Sequence, residues 1–263
     1  MGKNTLLSVF QKDIIQINPT EELLQEIKAQ LDTKGFFCLK NSLNNDFLSA
    51  IQNETKSLIT SRGKRYFSLI NPCLDKSSIF NLINKSSNLK KYLLGLADLR
   101  YSKNFSDSEL LSVLRVVTGK KSNSQSMKFH YDASVITVLV PILIPNGAIE
   151  DSGHLVAFKN LRNVRTNAIF NFIEKIFVQN PLSRKITSFL ALKNLNNVLH
   201  KIEEGNIYFF YGYRTLHANL PVNPAYKRAT LLLHFGDPHR ESKLIKLIVK
   251  VRKWRERKNL EKS

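Results

Sequence analysis

His130-Tyr131-Asp132, Thr215-Leu216-His217 and Arg228-Ala229-Thr230 are the three short stretches on which the reading of this 263-residue chain turns. On a strand, successive side chains point to opposite faces, so residues two apart point the same way. His130 and Asp132 then converge on one side, and Tyr131 turns to the other. One imidazole and one carboxylate make two sides of a metal site, and His217 is the candidate for the third ligand. Arg228 and Thr230 share a strand face by the same rule. His217 precedes Arg228 by eleven residues, with Pro221 and Pro224 marking a turn between them. That spacing predicts two adjacent antiparallel strands with His217 and Arg228 on one wall.

An isolated His-x-Asp carries little weight, because a strand histidine is more often a packed or surface residue. The downstream stretches change the odds. Two histidines and a carboxylate form the facial triad of non-haem Fe(II) sites, which leaves three coordination positions open. A buried arginine needs an anion, and its guanidinium fork matches a carboxylate bidentately. The Thr230 hydroxyl can donate to the same carboxylate. Together these residues make a ready seat for the distal carboxylate of 2-oxoglutarate.

Outward from these stretches, the chain separates into three regions. The first runs to about Lys120 and reads mostly helical, at Glu21–Leu31 behind a Thr20 N-cap, at Phe47–Ile59 and at Leu89–Leu96. Gly35–Leu39 reads as a short strand, and Leu111–Val117 as a strand leading into the site. The second region, Lys128–Phe235, reads as β structure. Its strands are Val135–Ile144, Gly153–Phe158, Val198–Ile202, Ile207–Tyr211 and Arg228–Phe235, with a turn at Glu204-Gly205-Asn206. Ala168–Phe189 is more helix-like, with Pro181 as a break. Short strands at this spacing suggest a barrel or sandwich. The third region, Arg240–Ser263, reads as a basic amphipathic helix with ten Lys or Arg against three Glu.

The pattern His130-x-Asp132, His217, Arg228-x-Thr230 resembles that of the 2-oxoglutarate/Fe(II) dioxygenases, and its spacings are similar to the phytanoyl-CoA dioxygenase-like branch. Gly35-Phe36-Phe37 and Gly153-His154-Leu155 resemble segments of that branch too. The resemblance covers roughly Thr33 to Pro238. It implies a mainly β fold with flanking α: a double-stranded β-helix (jelly-roll, cupin-like) core with N-terminal helices. Residues 1–238 would be one oxygenase domain, helical over 1–120 and β-helical over 121–238, followed by the basic helix 239–263. The resemblance further implies Fe(II) held by His130, Asp132 and His217, and 2-oxoglutarate anchored by Arg228 and Thr230. The implied reaction is hydroxylation of a small-molecule substrate with O2, releasing succinate and CO2. One departure stands out: where the family often carries Pro-Gly-Ser-His, this chain has Ala157-Phe158-Lys159-Asn160-Leu161-Arg162. That puts the substrate-side loop in question and leaves the metal ligands untouched.

His234 shares strand parity with Arg228 and Thr230. With His154 and Arg115 it is a candidate for the substrate pocket, although a structural role is the commoner fate of each. Tyr208-Phe209-Phe210-Tyr211 reads as barrel core and pocket wall. His200 and His239 read as surface or turn residues.

The formal net charge of +19 favours anionic partners. It points to an anionic or lipid-linked substrate, and to peripheral contact of Arg240–Ser263 with an anionic membrane or another polyanion. Two cysteines, Cys38 and Cys73, are too few for a disulfide framework or a cysteine zinc site and fit a reducing, cytoplasmic setting. No apolar run reaches the ~18 residues of a membrane-spanning helix. Two alternatives stand beside the hydroxylase. One is a non-catalytic barrel that binds without turnover. The other is a nucleic-acid-directed oxidative demethylase, which the charge allows although Asp132-Ala133-Ser134 lacks that branch's acidic signature.

Overall fold

Thr20 begins the helical part of the chain: its hydroxyl accepts from the Leu23 N–H at 3.2 Å, and Glu21 and Glu22 complement the helix dipole. Helix α1 (Glu21–Lys34) ends where Gly35 takes φ 74° and its N–H returns to the Leu31 carbonyl. Asn44 caps α2 (Asn45–Arg62) through the N–H groups of Asp46 and Phe47. A short α3 (Asn81–Lys85) precedes α4 (Ser87–Arg100), capped by Ser86. These elements come from a computed structural model, which describes residues 13–101, 105–120, 122, 126–162 and 180–236. Residues 163–179 and 237–263 lie outside the described residues, and with them the expected basic helix 239–263 with His239 and the part 168–179 of the expected helical insertion.

The strands are β1 (Phe37–Leu39), β2 (Phe67–Ile70), β3 (Leu110–Thr118), β4 (Ile136–Leu143), β5 (Leu155–Phe158), β6 (Leu199–His200), β7 (Ile207–Phe210), β8 (Leu216–Asn219) and β9 (Lys227–Phe235), of which β2 was not expected. Between β5 and β6 lie α5 (Pro181–Lys193) and α6 (Leu195–Val198). Pro181 was expected to break a helix. Instead it starts α5, because proline at the first turn has no intrahelical donor to lose.

Two antiparallel sheets form, in the orders β1-β7-β4-β9-β3-β2 and β6-β5-β8. Alternation along the strands divides the apolar residues into three cores. The outer face of the large sheet presents Leu114, Val116, Ile136, Val138, Val140, Phe209, Ala229, Leu231 and Leu233. It buries them against Ile27, Leu31, Phe47, Ile51, Tyr92 and Leu96 of the helices. The outer face of the small sheet packs Val156, Leu216 and Ala218 under Ala191 and Val198. Between the sheets lie Phe36, Leu139, Leu155, Ala157, Ile202, Tyr208 and Phe210. The architecture is the expected double-stranded β-helix with helices on the large sheet.

This sorting fixes which side chains enter the interior. On β9 the helix face takes Ala229, Leu231, Leu233 and Phe235, so Arg228, Thr230, Leu232 and His234 point between the sheets. On β8 the outer core takes Leu216 and Ala218, leaving His217 and Asn219 for the interior.

Candidate metal centre

His130 and Asp132 were expected on a regular strand. The structure gives them a single antiparallel bridge, His130 opposite His217, with reciprocal N–H···O bonds of 3.0 and 3.1 Å. Beyond it the backbone is irregular, and the Asp132 N–H bonds the Gly212 carbonyl at 2.9 Å. Convergence survives because these three bonds hold the segment against β8 and the turn before it. His130 and His217 become direct cross-strand neighbours, with ring centroids 4.5 Å apart.

Each histidine donates its Nδ1–H to a carbonyl two residues upstream: His130 to Lys128 at 2.9 Å and His217 to Thr215 at 3.0 Å. A carbonyl only accepts, so a proton sits on Nδ1 and Nε2 is the atom left to ligate. Both Nε2 atoms face the Asp132 carboxylate, 3.7 Å from Oδ1 for His130 and 3.6 Å from Oδ2 for His217. The three ligating atoms lie within 4.8 Å of one another, a group that could hold a metal ion. Burial pushes the His217 pKa down to about 4, keeping the ring neutral as a ligand must be. Burial of Asp132 opposes its ionisation. The nearby imidazoles of His217, His234 and His130, with the Thr137 hydroxyl, outweigh that and hold its pKa at about 2.

Thr137 donates to Asp132 Oδ2 at 2.7 Å and orients the carboxylate. Gly212 makes room for this arrangement, since a Cβ there would lie 2.2 Å from Thr137 Oγ1 and 2.8 Å from Asp132 Cβ. Phe210 meets the His217 ring edge-on at 4.9 Å. Phe210 stands in the stretch read as pocket wall, whereas neither Thr137 nor Gly212 was singled out in the sequence, although Thr137 is the one polar residue in the apolar run Val135–Val140.

Arg228 and Thr230 share a face as expected, but not on a strand beside His217. Strand β8 belongs to the small sheet and β9 to the large one. The segment after β8 first bonds the small sheet's side, with Gly153 N–H to Pro221 O and a Ser152–Val222 bridge, before crossing over. Arg228 therefore meets the ligand-bearing strand across the interior: its Nη2 donates to Asn219 Oδ1 at 3.0 Å, and its Nη1 to Thr230 Oγ1 at 3.3 Å. Asn219, two residues past His217 on the same face, could have been found by the parity that found Asp132.

Arg228 is fully buried, and no ion pair reaches it among the described residues. Its Nε has no partner. Burial, with a contribution from the Arg115 charge, brings its pKa down to about 9. Gly153, at φ 67°, backs it directly: a Cβ there would stand 2.4 Å from Arg228 Cδ. A buried cation with an open donor fits an anionic ligand.

The three pocket candidates separate. His234 stands beside Asp132, its Nδ1 3.7 Å from Oδ2, and borders a cavity of about 630 Å³. That cavity is lined by Asp107, Glu109, Leu111, Tyr131, Asp132 and Ser134 among others. His154 and Arg115 do not border it. His154 is buried and accepts from the Ile202 N–H at 3.3 Å; burial and the Arg228 charge lower its pKa. Arg115 lies directly opposite Thr230 on β3.

No protein-family model and no curated protein matches the sequence. Solved structures do match. The non-heme alpha ketoglutarate dependent epimerase SnoN from nogalamycin biosynthesis aligns at TM-score 0.58 and 12% identity, over 83% of this chain and 84% of that one. EctD from S. alaskensis, with 2-oxoglutarate and 5-hydroxyectoine, aligns at TM-score 0.55 and 14% identity, over 86% and 81%. A Pseudomonas putida prolyl-4-hydroxylase aligns at TM-score 0.51 and 12% identity, over 81% and 99%. At these identities the likeness is one of fold.

Proposed function

We propose that this protein is an Fe(II)- and 2-oxoglutarate-dependent dioxygenase that hydroxylates a small molecule. One observation carries the reading. His130, Asp132 and His217 turn three ligating atoms within 4.8 Å of one another into the same interior that holds a buried Arg228, which pairs with no carboxylate among the described residues. The solved structures of this fold include proteins described with 2-oxoglutarate and with Fe3+ or nickel, which supports the same pair here. The spacing of His130-x-Asp132, His217 and Arg228-x-Thr230 supports the phytanoyl-CoA dioxygenase-like branch. The free thiols Cys38 and Cys73 fit a cytoplasmic setting, and among the described residues no helix is long and apolar enough to cross a membrane.

Iron with its 2-oxo acid would supply the oxidising chemistry. The chain's own part is binding and orientation. His130 and His217 offer Nε2 donors fixed by their Nδ1 hydrogen bonds, and Asp132 offers an ionised carboxylate aligned by Thr137. Arg228 and Thr230 would take the far carboxylate, and Gly153 leaves the guanidinium room to sit there. Phe210, Leu139 and Tyr208 line the interior and keep water from it. The substrate would occupy the cavity beside Asp132 and His234. The net charge suggested an anionic substrate, but among the described residues this cavity is lined by the acidic Asp107 and Glu109 and by no lysine or arginine. The wall thus favours a neutral or cationic group near the metal.

Anaerobic Fe(II) and 2-oxoglutarate should give a visible metal-to-ligand band in the wild-type protein. The band should vanish in His217→Ala and need much higher 2-oxoglutarate in Arg228→Ala. A folded wild-type protein with no band would remove the cofactor assignment and favour the non-catalytic barrel.

A further inference from the structure

Arg115 is the one charged residue on the interior face of β3, between Val113 and Val117. Directly opposite residues on antiparallel strands share a face, and its opposite number is Thr230, whose hydroxyl already accepts from Arg228. Arg228 itself is the diagonal neighbour, a relation that brings side chains within about 7–8 Å and within reach of long ones. The Nε atoms of Arg115 and Arg228 are both buried and both without a partner. No carboxylate makes an ion pair with either guanidinium among the described residues. Two like charges side by side in a low-dielectric interior repel each other. What reconciles them is an anion between them, and a carboxylate has enough lone pairs to take two forks and a hydroxyl at once.

We propose that Arg115 is a second guanidinium for the far carboxylate of the 2-oxo acid. Arg115, Arg228 and Thr230 then form one clamp that selects a dicarboxylate over a monocarboxylate. This rests on the oxygenase reading above, and it moves Arg115 from the substrate to the cosubstrate. Position 115 becomes a specificity-determining residue: the metal would chelate the keto-acid end of any 2-oxo acid, while the two arginines would read the other end.

The test compares 2-oxoglutarate with 2-oxopentanoate, which keeps the keto-acid end and lacks the far carboxylate. Both are titrated anaerobically into the Fe(II)-loaded full chain, reading the visible band, in wild type, Arg115→Met and Arg115→Lys. Arg115→Met should weaken 2-oxoglutarate roughly ten- to a hundredfold, the range of a lost charge-assisted hydrogen bond. It should leave 2-oxopentanoate where it was, and Arg115→Lys should recover part of the loss. Wild-type-like titration of both acids by Arg115→Met overturns the inference while the oxygenase reading stands. Equal weakening of both acids overturns it too, since that is the mark of a merely structural residue. No band with either acid in wild type overturns the oxygenase reading and this clamp with it.

Discussion

The two faces of β9 divide the work of the molecule between them. One face carries Ala229, Leu231, Leu233 and Phe235, all packed against the helices. The other carries Arg228, Thr230, Leu232 and His234, and of these only Leu232 is apolar. Both faces are largely buried, yet only one of them satisfies itself. The helix-side residues find apolar partners within the chain, whereas Arg228 is left with an open Nε donor and no carboxylate partner among the described residues. Burial alone does not separate scaffold from site; what separates them is whether the buried groups are matched by the chain's own residues.

The comparison can be broken from the scaffold side with the largest effect. Leu231→Ala removes a fully buried side chain and should lower unfolding free energy by about 2–5 kcal/mol. The 2-oxoglutarate titration of the remaining folded protein should not move. Denaturant melts beside the visible band test both halves, and a large change in cosubstrate affinity would mean that the faces are not independent.

A smaller effect is expected where one residue serves both. Gly153→Ala places a Cβ 2.4 Å from Arg228 Cδ at a residue with φ 67°. The backbone strain is worth about 1–2 kcal/mol. Displacement of the guanidinium should raise the 2-oxoglutarate dissociation constant by about tenfold, the equivalent of ~1.4 kcal/mol. A loss of stability with unchanged affinity would show that Arg228 has slack this packing does not reveal.

The smallest effect belongs to His200, tilted against Phe36 with ring centroids 4.1 Å apart. Burial pushes its pKa from 6.5 down to about 4. Between those values the unfolded chain binds the extra proton. The stabilisation is therefore whole above about pH 6.5 and is lost as pH falls toward 4. Allowing for partial exposure, it amounts to roughly 1–2 kcal/mol. Thermal melts at pH 7.5 and pH 5 should show a shallower drop for His200→Phe than for wild type, and identical drops would discard this account.

The candidate metal cluster was legible because two rules sufficed to bring its residues together: strand parity pairs His130 with Asp132, and residue chemistry asks for one more imidazole. Parity held even where the strand did not, since the bonds from His130 to His217 and from Asp132 to Gly212 impose the same alternation. The partner of β9 was not legible. Eleven residues with two prolines suit a hairpin, and nothing in Leu220–Lys227 says that the chain changes sheets there. That is decided by pairing with Ser152 and Gly153, some seventy residues upstream. Gly212 was missed for a related reason, since it matters only through Thr137 and Asp132 far upstream, whereas Thr137 and Asn219 act on nearer residues, Asp132 and Arg228, and went unread. The unmatched Arg228 was anticipated as a residue in want of an anion, but Arg115 was read as a separate contact, because only the register against Thr230 brings the two together.

The hydrogen atom at position 153 and the guanidinium at position 228 occupy one shared volume, though 75 residues separate them along the chain. Neither can grow without the other giving way. Substitutions at these two sites should therefore be strongly epistatic, a bulkier residue at 153 being tolerated only beside a shorter cation at 228. Drift at this end of the interior then has to pass through paired changes, which narrows the sequences open to it far more than the open cavity narrows those around its own wall.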